Sequence, residues 1–264
     1  MTLRQAFDRA RSERRAAFIP YVMAGDPDIV TTERILEALA ESSVDAIELG
    51  IPYGDPLADG PTVAAAGVRA LAAGTKIRNV LDLVKRFRAT SDIPIVVFSY
   101  FNPVYQYGLE RFAKDASASG VAGAIIPDIA LEEGEELAQA LARHGLDMPL
   151  LIAPSTTADR AEEIVGRATG FVYVVSRLGV TGTNKMPDFS ALRKQIASLR
   201  NSSTLPLAVG FGVSHSDHVR NVASFADGII VGSALIDAYA GKTSDEAARS
   251  VAAFVAPLVE ATRR

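Results

Sequence analysis

The chain contains no cysteine, which excludes disulfides, thiolate metal sites and thiol nucleophiles together. Tryptophan is also absent and aromatic residues make up only 7% of the chain, leaving Ala, Val, Ile and Leu to build the interior. That composition suits strands buried on both faces and closely packed helices. Positive charge is not in excess: 27 Lys and Arg stand against 31 Asp and Glu, for a net charge of −4. No basic stripe is available to neutralise a nucleic-acid backbone over many contacts. Nowhere do about 18 apolar residues run uninterrupted, and the charged segment 1–18 lacks the apolar stretch of a secretory signal. A cytoplasmic protein is expected. Histidine is scarce, with only His144, His215 and His218; the last two stand at i, i+3 spacing, but no other ligand cluster accompanies them, and no metal is expected.

What the chain does contain is a repeated alternation. Short apolar runs at 18–22, 44–49, 95–98, 122–126, 150–153, 171–175, 207–209 and 228–231 read as strands. Between them, apolar residues recur at helical spacing, as in Ile35, Leu36 and Leu39, or Val80, Leu83, Val84 and Phe87. Eight such βα units imply a parallel sheet with right-handed crossovers that is able to close on itself. The predicted architecture is α/β, a (β/α)8 TIM barrel forming a single domain over residues 1–264, a length close to the roughly 250 residues usual for that fold. An extra N-terminal helix near residues 3–11 would cover the bottom, and the segment 244–264 reads as a final outer helix. An open doubly wound sheet is the alternative. In a barrel the chemistry stands at the C-terminal ends of the strands.

Two acids occupy such a position. Alternation along the second strand places Val44, Ala46 and Glu48 on one face, so a carboxylate points where small apolar residues point. Burying it costs several kcal/mol unless it is paired, protonated or used. A stiff loop rich in proline and glycine then leads to Asp59. Carboxylates in unlike environments are suited to unlike duties, one shuttling protons and the other holding charge. Asp59, just before Pro61, also reads as an ordinary helix N-cap.

Gly210-Phe211-Gly212-Val213-Ser214 follows the seventh strand and Gly232-Ser233 the eighth. Turns of this kind bind phosphate through backbone N–H groups, and barrels frequently use these two loops for it. The polar, glycine-bearing segment 176–185 reads as a lid that closes over substrate, or as a plain surface loop. Tyr21, Phe98, Tyr100, Ile125, Tyr173 and Phe211 stand at strand tips, where they read as core or as walls of a flat slot for a planar ring. The expected ligand has a ring at one end and a phosphate at the other.

These residues resemble the tryptophan synthase alpha chain family. The run ELGIPYGDPLADGP (48–61) carries the resemblance, supported by AGDPD at 24–28, SRLGVTG at 176–182, GFGVS at 210–214 and VGSA at 231–234. The resemblance implies a barrel that cleaves indole-3-glycerol phosphate by a retro-aldol reaction into indole and glyceraldehyde 3-phosphate. It implies that Glu48 is the general acid–base, that Asp59 holds the indole N–H, and that Tyr173 sits beside Glu48. Thr181 would be the lid threonine, and Gly182, Gly212, Gly232 and Ser233 the phosphate cradle. It also implies a beta-chain partner in an alpha2beta2 complex, contacted through Asp55, Asn102 and Pro103, with pyridoxal phosphate on the partner and no cofactor in this chain. The chain departs from the pattern at Tyr21 and Tyr53, where Phe is commoner, at Gly54 in place of Ser, at Ala130 in place of Pro, and in the lid residues 183–186. Two other readings compete: an allosteric binding subunit with little chemistry of its own, and a neighbouring phosphate-binding barrel isomerase.

Overall fold

The structure is a computed structural model that describes residues 1–176, 189–210 and 212–264. Eight strands form one parallel sheet: β1 (Ala17–Met23), β2 (Ile47–Gly50), β3 (Ile95–Phe98), β4 (Val121–Ile125), β5 (Leu150–Ile152), β6 (Val172–Val175), β7 (Leu207–Gly210) and β8 (Gly228–Val231). Their order, β4-β3-β2-β1-β8-β7-β6-β5, curls the sheet round until its two edges meet. The seam between β4 and β5 is closed by a single bridge, Gly123 to Asp147, with Ala124 N–H donating to the Asp147 carbonyl at 2.9 Å. This is the expected barrel, and the open sheet is set aside.

The described helices are α1 (Leu3–Ser12), α2 (Ile29–Glu41), α3 (Pro61–Ala72), α4 (Ile77–Arg88), α5 (Phe101–Tyr107), α6 (Leu109–Ser119), α7 (Glu135–Arg143), α8 (Ala158–Arg167), α9 (Phe189–Leu199), α10 (Ser216–Ala223), α11 (Ser233–Tyr239) and α12 (Ser244–Glu260). One helix per strand was the expectation; after β2, β3 and β8 there are two. A glycine at positive φ breaks each pair: Gly74, Gly108 and Gly241. At such an angle a side chain clashes with its own backbone, so a continuous helix gives way to a turn. The three extra helices, α3, α5 and α11, stand over the strand tips and frame the barrel mouth.

The helix starts are written locally. Thr2 and Gln5 form a capping box for α1, Asp28 accepts from the Thr31 N–H at 2.7 Å to cap α2, and Thr243 and Glu246 box the start of α12. α1 does close the bottom: its Phe7 ring lies 5.5 Å from the Phe171 ring below the sheet. The fully buried Asp45 holds it there, accepting from Arg9, from Arg15 and from the Phe18 N–H at 2.8 Å. Because Asp45 serves the floor in this way, the β2 ladder begins at Ile47 and not at the expected residue 44.

Candidate active site

The register fixes what lines the mouth. Tyr21 of β1 pairs with Glu48 of β2, which pairs with Val96 of β3; one layer higher, Gly50 pairs with Phe98 and Phe98 with Ile125. Residues in register on parallel strands share a face. Glu48, Tyr21, Phe98 and Ile125 therefore converge inside the barrel, and all four are buried.

Glu48 is 1% exposed, and its Oε2 has no hydrogen-bond partner. Burial, and then the charge of Asp59, push its carboxyl from the ordinary 4.5 up to about 8. The group is protonated at neutral pH and has an oxygen unengaged by the protein. Burial also raises Asp59, to about 6, opposed by a hydrogen bond from the Tyr100 hydroxyl. That hydroxyl in turn accepts from the Ala58 N–H at 3.0 Å. Tyr100 thus holds both the loop and its acid, although the sequence offered it only as an apolar wall. The helix-cap reading of Asp59 is overturned: the N-cap of α3 is Gly60, with no side-chain cap, because Asp59 is turned toward Tyr100.

Two phenols flank the acids. Tyr173 is 3% exposed, and burial followed by the charges of Glu48 and Asp59 keeps its hydroxyl protonated. Tyr21 is raised by burial too, with Asp59 and then Glu48 contributing. The phenol end of each ring lies against a glycine at the next strand tip: a Cβ at Gly50 would stand 2.2 Å from the Tyr21 hydroxyl, and one at Gly210 would stand 2.3 Å from that of Tyr173. Gly50→Ala is therefore expected to destabilise by about 1–3 kcal/mol through overpacking, measured by urea denaturation. Adding Tyr21→Leu should recover most of that loss, and a double variant no better than the single would discount the contact. The aromatic wall continues through Phe98, edge-on to Tyr21 at 6.0 Å and to Tyr100 at 6.2 Å between centroids.

Gly212 and the Gly232-Ser233 turn stand at the tips of the neighbouring strands β7 and β8, with Ser233 opening α11. Asp55 is exposed, and the Asn102 side-chain amide donates to the Tyr53 hydroxyl at 3.2 Å, joining the β2 and β3 loops. Leu57 and Tyr105, 75% and 59% exposed, stand on these same two segments, as does the half-buried Pro103. Thr181, Gly182 and Phe211 lie outside the described residues. Among the described residues no group of three or more His, Asp or Glu is placed to hold a metal ion.

A profile of the tryptophan synthase alpha chain matches residues 7–263. The chain belongs to the tryptophan synthase alpha chain family. The alpha chain of Geobacter sulfurreducens is 43% identical over 255 residues, covering 97% of this chain and 96% of that one. That of Gloeobacter violaceus is 44% identical over 260 residues, covering 98% and 94%. Among solved structures, tryptophan synthase from Mycobacterium tuberculosis superposes with a TM-score of 0.91 at 37% identity, over 99% of this chain and 98% of that chain. The Legionella pneumophila alpha subunit gives a TM-score of 0.90 at 33% identity, over 99% and 98%.

Proposed function

We propose that this chain, as one domain, cleaves indole-3-glycerol phosphate into indole and glyceraldehyde 3-phosphate, and that Glu48 and Asp59 divide the chemistry. The observation that carries the reading is a pair of unlike acids: the buried Glu48 held near 8 with a free oxygen, and the half-buried Asp59 near 6 and anchored by Tyr100. At neutral pH Glu48 carries the proton that goes to C3 of the indole ring. Protonation there leaves positive charge on the ring nitrogen, which the ionised Asp59 stabilises more in the transition state than in the ground state. The Glu48 carboxylate then removes the proton of the glycerol hydroxyl next to the ring. The oxygen's electrons form the new carbonyl, the carbon–carbon bond breaks, and its electron pair restores the aromatic indole. Glu48 ends protonated, as it began.

Tyr21, Phe98, Ile125 and Tyr173 supply the walls of the ring slot, and Gly212, Gly232 and Ser233, with Gly182, the phosphate end. Thr181 is assigned to the lid. The joined loops of Asp55 and of Asn102 and Pro103, with Leu57 and Tyr105 exposed between them, are the surface assigned to a beta chain in an alpha2beta2 complex. Pyridoxal phosphate belongs to that partner, and this chain uses no cofactor. No described helix is long and apolar enough to cross a membrane, in keeping with a cytoplasmic enzyme. The reading is tested by measuring indole release from indole-3-glycerol phosphate, with the chain alone and with a beta chain. Release in either condition supports it, and none in both rejects it.

A further inference from the structure

We propose that Asp26 is a positioning residue: paired with Arg69 and facing Tyr239, it forms a clamp, behind the barrel mouth, that sets where the phosphate turn stands relative to the acids. The inference rests on the phosphate site assigned above. Asp26 lies in the turn after β1 and is 1% exposed. A carboxylate so buried needs a partner, and it has a two-pronged one: Arg69 Nε and Nη2 donate to its two oxygens at 2.7 and 2.8 Å. Arg69 belongs to α3, the helix that starts directly after the Asp59 loop.

The third member comes from elsewhere in the chain. Tyr239 ends α11, the seven-residue helix that Ser233 begins, and its side chain is wholly buried. Its hydroxyl faces the Asp26 carboxylate and the Met23 backbone without a hydrogen bond of good geometry to either. Three elements thus meet at one carboxylate: the β1 turn, the helix of the Asp59 loop and the helix of the phosphate turn. α11 packs on both α3 and β1. At its other end Gly232 rests on the Tyr21 ring, where an added Cβ would lie 3.4 Å from the Tyr21 Cβ. A shift of α11 therefore moves the phosphate turn along the wall of the ring slot.

The two ends of the clamp are not equally dependent on it. The Asp59 loop has its own anchor in Tyr100. α11 is short, and Tyr239 is its far end. Loosening the clamp should displace the phosphate turn and leave the acids in place. Where the phosphate contacts hold the ground and transition states alike, their weakening raises KM and spares kcat.

The test uses the chain with its beta chain. Asp26→Asn keeps the shape and removes the charge. It is expected to raise KM for indole-3-glycerol phosphate about tenfold and to weaken glycerol 3-phosphate binding, read by calorimetry, by a similar factor. kcat should stay within about twofold, and inhibition by indole, which has no phosphate, should not change. A variant that is merely less well folded loses apparent kcat but keeps KM and both affinities. Should Asp26→Asn fail to fold, Arg69→Lys, which keeps the charge but loses the fork, should show the same split at about threefold. Unchanged KM and glycerol 3-phosphate affinity in a folded variant would overturn the clamp. Weakened glycerol 3-phosphate binding with no turnover even in the wild-type complex would support the clamp and reject the proposed reaction.

Discussion

Glu48→Gln is expected to lower indole release by about 10³-fold or more in kcat while substrate still binds. General acid–base catalysis by one side chain contributes about 10²–10⁴-fold, and Glu48 acts twice in the proposed cycle, once as acid and once as base. Glutamine fills the same space and can do neither. Single-turnover measurement of indole, beside calorimetric binding of glycerol 3-phosphate, separates lost chemistry from lost affinity. Cleavage within tenfold of the wild type would remove Glu48 from its role.

The same substitution should stabilise the fold in alkaline solution. The folded-state carboxyl, near 8, lies above its unfolded value of 4.5, so the part of the burial cost that comes from ionisation is absent below about pH 4. The cost grows as pH rises through this window, because the unfolded chain ionises first. It reaches about 5 kcal/mol above pH 8, at about 1.4 kcal/mol for each pH unit. Glu48→Gln should therefore melt near the wild type at pH 4 and roughly 10 °C above it at pH 9. Catalytic groups held in such environments reduce stability for the sake of reactivity.

Glu48 was read as pointing inward from an alternation that began at Val44; the strand starts only at Ile47, and it is the register with Tyr21 and Val96 that aims Glu48 into the barrel. The strands β3 and β8 were legible to their last residues, since an apolar run is local. Asp59 was not, since Asp-Gly-Pro before a helix satisfies the rules for a cap, and only the fold brings in Tyr100 from the next βα unit. The Asp26–Arg69 pair is hidden in the same way, its two members contributed by different βα units. The paired helices at the mouth had a local signal in Gly74, Gly108 and Gly241, but glycine between apolar stretches also marks the end of any helix. What the sequence conveys well is periodicity within one element; what it conveys poorly is which polar group finds which across the barrel.

Asp59→Asn is expected to reduce kcat by about 10²–10³-fold, the range for removing one preorganised stabiliser of developing charge. The asparagine oxygen still accepts the indole N–H, so KM should move little; what is lost is the negative charge opposite the nitrogen as C3 becomes protonated. The pH profile makes the assignment sharper. In the proposed mechanism turnover needs Asp59 ionised, above about 6, and Glu48 protonated, below about 8, which gives an expected bell between those limits. Asp59→Asn should erase the acid limb, since nothing at that position titrates. It should also draw the alkaline limb downward, because the charge of Asp59 is one of the two causes that raise Glu48. Tyr100→Phe should act in the opposite sense on the acid limb, moving it up by removing the hydrogen bond that favours the Asp59 carboxylate. An acid limb that survives in Asp59→Asn would place that ionisation on another group, and one that stays put in Tyr100→Phe would deny the tyrosine its hold on the acid.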